Sequence, residues 1–185
     1  MAGARTDGAA YAYDLEIYRR AKDEALRSEP WSPIPPDGRR AFEGLVYFDP
    51  DPAWAVTATV ARIAEPEAFE MAASTGPPRR QLRCARLDFA TPQGPARLFA
   101  YKDAARAHGR SLFVPFRDAT SGKETYGAGR YLDLEETEGS EISVDFNLAY
   151  NPYCAYSEAY SCPLPPAENW LTIPVRAGEK SYPMH

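Results

Sequence analysis

The densest run of groups able to do chemistry is Asp145-Phe146-Asn147-Leu148-Ala149-Tyr150-Asn151-Pro152-Tyr153-Cys154-Ala155-Tyr156, followed by Cys162-Pro163-Leu164-Pro165-Pro166-Ala167-Glu168-Asn169. On a strand, Asp145 and Asn147 point away from the face of Phe146 and Leu148, so a carboxylate and an amide can converge on a cavity. Asn151-Pro152 opens a turn that presents Tyr153 and Cys154. With Arg130, whose planar guanidinium suits a carboxylate or phosphate, the residues Asp145, Asn147, Tyr150, Tyr153 and Glu168 form a candidate binding set for a polar small molecule. An enzyme would use the same region differently, with Asp145 or Glu168 as general acid or base, or Cys154 as nucleophile. A purely structural use competes with both. Asp145 and Asn147 then cap loop backbone, the tyrosines pack against the proline-rich segment, and Arg130 pairs with Asp145 or Glu124 inside the fold.

Other chemistries lack their parts. Seven residues separate Cys154 from Cys162, wider than the roughly two to four of a structural zinc knuckle, and His108 and His185 are the only histidines. No metal and no cofactor is expected. His108 is the one plausible base for a catalytic thiol, and no motif ties it to Cys154. The Gly122-Lys123 step lacks the spacing and the Lys-Ser/Thr pair of a phosphate loop. Gly127 and Gly129 read instead as positive-φ positions or close backbone approaches.

The elements that must position these groups are mostly strands. Residues 10–27 form the clearest helix, because Leu15, Tyr18, Ala21, Ala25 and Leu26 recur every three or four positions. Pro30, Pro33, Pro35 and Pro36 forbid its continuation and make residues 28–41 a semi-rigid connector. From residue 42 the period falls towards two. Strands are predicted at 54–61, 69–75, 81–89, 96–101, 111–117, 128–134, 141–149 and 171–175, the last confined to an edge by Pro174. The fold class is therefore mainly β: a barrel or two-layer sandwich of about eight mostly antiparallel strands, with the helix packed over one opening or edge. No internal repeat is present.

The chain of 185 residues reads as a single domain, 1–185, with the helix at 10–27, the connector at 28–41 and a β domain at 42–182. Hydrophobic residues make up 44%, enough for a core, while 18 prolines work against long helices. A net charge of −5 disfavours a nucleic-acid partner, and no apolar stretch approaches the roughly 20 residues of a membrane span. The first ten residues carry Arg5 and Asp7 and lack an apolar core, so no secretory signal is read there. Three cysteines, an odd count, are expected as free thiols in a cytoplasmic protein. A small molecule is the expected partner, and nothing in the pattern specifies an oligomeric state.

Three runs carry a family resemblance: Phe42-Glu43-Gly44-Leu45-Val46-Tyr47-Phe48, residues 115–134 with Thr125-Tyr126-Gly127-Ala128-Gly129-Arg130-Tyr131, and residues 145–169 with Asn-Pro-Tyr-Cys-Ala-Tyr and Cys-Pro-Leu-Pro-Pro-x-Glu-Asn. With the Ala177-Gly178-Glu179-Lys180 ending, the chain resembles the prokaryotic family called domain of unknown function 1684 over residues 13–182. The resemblance implies no activity, since no biochemical role defines that family.

Overall fold

A computed structural model describes residues 8–182. Arg5, Asp7 and His185, on which parts of the leader and metal readings rest, lie outside the described residues.

Helix α1, Gly8–Ser28, buries Leu15 and Leu26. The proline-rich connector that follows is ordered by one side chain. Arg39, at the end of the short helix α2 (Pro36–Arg39), donates from Nε to the Ile34 carbonyl at 2.8 Å, from Nη1 to Glu29 at 3.0 Å and from Nη2 to Ser32 at 3.1 Å. Three carbonyls without helical partners are thereby satisfied.

Six antiparallel strands follow: β1 Ala55–Met71, β2 Arg79–Thr91, β3 Gly94–Asp103, β4 Ser111–Phe116, β5 Arg130–Glu135 and β6 Glu141–Asp145. They form one curled, half-barrel sheet in the order β5-β4-β3-β2-β1-β6. The mainly β expectation holds with fewer strands, for two reasons. The strands expected at 54–61 and 69–75 are one long strand, whose register breaks between Arg62 and Glu67. Pro66, with no N–H to give a ladder, falls inside that break. The strand expected at 171–175 does not form. Pro174 has no donor, and the Val175 carbonyl accepts from Arg130 at 2.8 Å instead of from a neighbouring strand.

The core lies inside the curl. Phe146 is its centre, with ring centroids of Trp54 at 5.8 Å, Phe89 at 5.6 Å and Phe116 at 5.4 Å. β6 was expected to run to residue 149 but stops at Asp145, whose carboxylate accepts from the Asn147 N–H at 2.9 Å and caps a single 3-10 turn, Phe146–Leu148. This local bond competes successfully with the strand ladder. β5 and β6 do not pair with each other, and the groove of about 250 Å³ between them is lined from α1 by Tyr18. The helix thus packs over the open seam, as expected.

Candidate functional site

Arg130, at the start of β5, is only 1% exposed. Its Nη2 donates to Asp118 Oδ2 at 3.0 Å, and its Nη1 donates to the carbonyls of Glu179, at 3.1 Å, and Ala177. The guanidinium also lies 5.3 Å from the Phe116 ring centre. Burial lowers its pKa, and the Asp118 carboxylate opposes that shift. The pairing expected with Asp145 or Glu124 is therefore corrected: Asp118 is the counter-ion, and Arg130 pins the C-terminal segment. Gly129 makes this approach feasible, since at its φ of +106° a Cβ would stand 2.6 Å from the Phe116 carbonyl oxygen. Gly127 lacks a positive φ.

Asp145 and Asn147 are also committed to the fold. Asp145 accepts from Tyr11 Oη at 2.8 and 3.0 Å and from Asn147 Nδ2 at 3.0 Å, which ties α1 to β6. Asn147 exchanges two hydrogen bonds with the Asp51 backbone, at 2.8 and 3.0 Å. Glu168 stands apart on the turn Ala167–Asn169, accepting from Arg83 Nη1 at 2.7 Å and from Tyr101 Oη. Of the candidate binding set, only Tyr150 and Tyr153 meet in the cleft that lies against α1.

That cleft encloses about 630 Å³ between α1, the outer strands and the segment that follows β6. Tyr18 and Lys22 of α1, Trp31 of the connector, Gln81 of β2, Phe113 of β4 and Tyr131 of β5 contribute to its walls. Aromatic faces dominate. Tyr131 packs edge-on to Phe113 at 4.7 Å and to Tyr150 at 5.7 Å, while Tyr153 packs edge-on to Tyr160 at 5.3 Å. Burial, and for Tyr150 the Asp133 carboxylate that accepts its hydroxyl at 2.6 Å, hold the Tyr131 and Tyr150 phenols far above their usual pKa.

The polar groups of the cleft divide sharply. Lys22 is the one cation lining it among the described residues, and its Nζ is 2.5 Å from Glu179 Oε1. Glu179 is buried and also accepts from the Asn151 N–H at 2.7 Å and Tyr156 Oη at 3.1 Å, so this positive charge is internally matched. Asp103 and Asp133 lie on the rim without a cation partner among the described residues. Gln81 and Asn151 are 5% and 1% exposed, yet Gln81 Oε1 and Asn151 Oδ1 have no hydrogen-bond partner among the described residues. Buried, unpaired amide oxygens are costly, by about 1–3 kcal/mol each, unless something else satisfies them.

Cys154 and Cys162 pack beside Tyr131, and Cys162 lines the cleft. The Cys154 N–H donates to Cys162 Sγ at 3.2 Å, and Tyr126 Oη donates to Cys154 Sγ at 3.7 Å. Hydrogen bonding from the Cys162 thiol lowers the pKa of Cys154 and correspondingly raises that of Cys162. Among the described residues no three His, Cys, Asp or Glu side chains are grouped to hold a metal, and no helix is long and apolar enough to cross a membrane.

Lys22, Trp31, Gln81, Asp103 and Asp133 were not legible as site residues, because they come from separate elements and share no motif. Gln81, a polar residue inside the otherwise well-patterned β2, is the one local signal that could have been read.

The family model described as protein of unknown function (DUF1684) matches residues 40–180. A search of curated proteins finds no match. Among solved structures, the solution NMR structure of the uncharacterized protein from gene locus rrnAC0354 of Haloarcula marismortui is 44% identical, with a TM-score of 0.72, over 94% of this chain and 96% of that one.

Proposed function

The chain belongs to the DUF1684 family of proteins of unknown function, and we propose that it is a small-molecule-binding β domain whose site is the cleft beneath α1. The observation that carries this reading is the pair of unpartnered amide oxygens, Gln81 Oε1 and Asn151 Oδ1, buried in the wall of an aromatic cleft. Both residues line the cleft, so rotation of either side-chain amide would turn its oxygen towards a ligand that donates hydrogen bonds. The ring faces carry negative π density, Asp103 and Asp133 add negative charge at the rim, and Lys22 is already neutralised by Glu179. All three features favour an amine or other organic cation with a flat apolar body, and disfavour an anion. Tyr150 and Tyr153 remain ligand-contact residues in this reading. Arg130, Asn147 and Glu168 act at a distance by holding the walls.

Acid–base catalysis by Asp145 or Glu168 has less support. Asp145 borders only the seam groove, and Glu168 lines neither space and is matched by Arg83. A cytoplasmic, reducing setting is part of the proposal, supported by three unbridged buried thiols.

Titration with benzylammonium, benzyl alcohol and benzoate, followed by the fluorescence of exposed Trp31, tests the reading. Benzylammonium is expected to give saturable quenching that Trp31→Phe abolishes, with benzoate inert. Equal or tighter binding of benzoate, or no saturable change with any probe, would overturn it.

A further inference from the structure

We propose that Cys154 and Cys162 are a redox-active dithiol, converted to an intramolecular disulfide by a small hydroperoxide that arrives through the cleft. Each residue is 7% exposed, and their side chains share one buried cluster with Tyr131. They are held in place from several sides. Cys162 Sγ accepts from the Cys154 N–H at 3.2 Å, the Cys162 N–H donates to Ser74 Oγ at 3.0 Å, and Tyr126 Oη reaches Cys154 Sγ at 3.7 Å. The Tyr126 phenol, whose hydroxyl lies 3.4 Å from the Cys154 carbonyl and 3.7 Å from its sulfur, is the donor available to the attacking Cys154 thiolate. Cys162 lines the cleft and Cys154 lies directly behind it in the same cluster, so a water-sized oxidant reaches Cys154 by passing Cys162.

Cys84 supplies the internal contrast. It lies in β2, its thiol donates to the Leu82 carbonyl at 3.1 Å, and burial raises its pKa, so it has neither a partner sulfur nor a stabilised thiolate.

The chemistry balances with the hydroperoxide as the oxidant. The Cys154 thiolate attacks the O–O bond. An S–O bond forms, the O–O bond breaks, and the departing alkoxide, or hydroxide when the oxidant is hydrogen peroxide, takes up the proton that Cys154 released, leaving a sulfenic acid and an alcohol or water. Cys162, giving up its proton, then attacks the sulfenic sulfur. The S–S bond forms, the S–O bond breaks, and hydroxide leaves with that proton as water. Two electrons pass from the thiols to the peroxide.

The test treats the reduced full chain with hydrogen peroxide, blocks remaining thiols and maps the peptides by mass. Two thiols are expected to vanish into a Cys154–Cys162 link that dithiothreitol reverses, while Cys84 stays alkylatable. The Cys84→Ser variant should behave identically. In Cys162→Ser, a Cys154 sulfenic acid should accumulate and react with dimedone. If all three thiols persist while far-ultraviolet circular dichroism shows the fold intact, or if the link joins Cys84 or two chains, the proposal fails. The wild-type result decides this even if the Cys162→Ser variant does not fold.

Discussion

The ammonium of Lys22 meets the carboxylate of Glu179 at 2.5 Å, 157 positions apart in the chain, and this contact fastens α1 to the C-terminal segment. Lys22 Nζ also stands 4.9 Å from the ring centre of Tyr150, so one side chain joins the helix, the buried acid and the cleft wall. Lys22→Met leaves Glu179 buried with an unmatched charge. A loss of about 3 kcal/mol is expected, the low end for a broken buried pair, because Lys22 keeps some contact with solvent. Urea unfolding measures it. A change well under about 1 kcal/mol would mean that the pair is not what secures the helix.

Arg130 and Asp118 form the second buried pair, with side chains 0% and 1% exposed. Arg130→Gln should cost about 3–5 kcal/mol, since it strands Asp118 and frees the carbonyls of Val175, Ala177 and Glu179. The double-mutant cycles separate its partners. Arg130→Gln with Asp118→Asn should show coupling above about 1 kcal/mol, whereas Arg130→Gln with Asp145→Asn should add to within about 0.5 kcal/mol. Coupling in the second cycle and none in the first would reverse the assignment.

Alkaline pH probes the tyrosine walls. Burial is the largest cause holding Tyr131, Tyr150 and Tyr156 protonated above the ordinary value of 10.0. A folded-state pKa raised above the unfolded one contributes stability that is complete below pH 10 and is lost as pH rises from there towards the folded value. Unfolding midpoints should be nearly flat up to about pH 9 and fall beyond about pH 10. Absorbance at tyrosinate wavelengths should show these phenols ionising only as the protein unfolds. Full ionisation of every tyrosine near pH 10 in the folded protein would contradict the packing described.

Much of the architecture was legible because it follows from local periodicity. The spacing of Leu15 and Leu26 produces α1, and the β2–β3 meander turns where Gly94 takes a φ of +119°. The site was harder to read because its geometry depends on contacts distant in sequence. Arg130 stood out beside its glycines, but Asp118 lies across the intervening loop, and no spacing rule links them. Asp145 alternated correctly on its strand, yet a bond to Asn147 two residues on ended the strand and turned both groups to structural use. Gln81 and Asn151 reach the cleft from β2 and from the segment after β6, which only the curl of the sheet brings together.

The most direct measurement is nitrogen-15 NMR of the labelled protein with benzylammonium, following the side-chain amides of Gln81 and Asn151 and the indole of Trp31. Saturable shifts of all three, with the amides of Thr57 and Arg97, which border a separate outer groove on β1 and β3, unmoved, are the predicted result. Shifts confined to that outer groove, or Gln81 and Asn151 unmoved when the probe is saturating, would contradict the assignment of the cleft as the binding site.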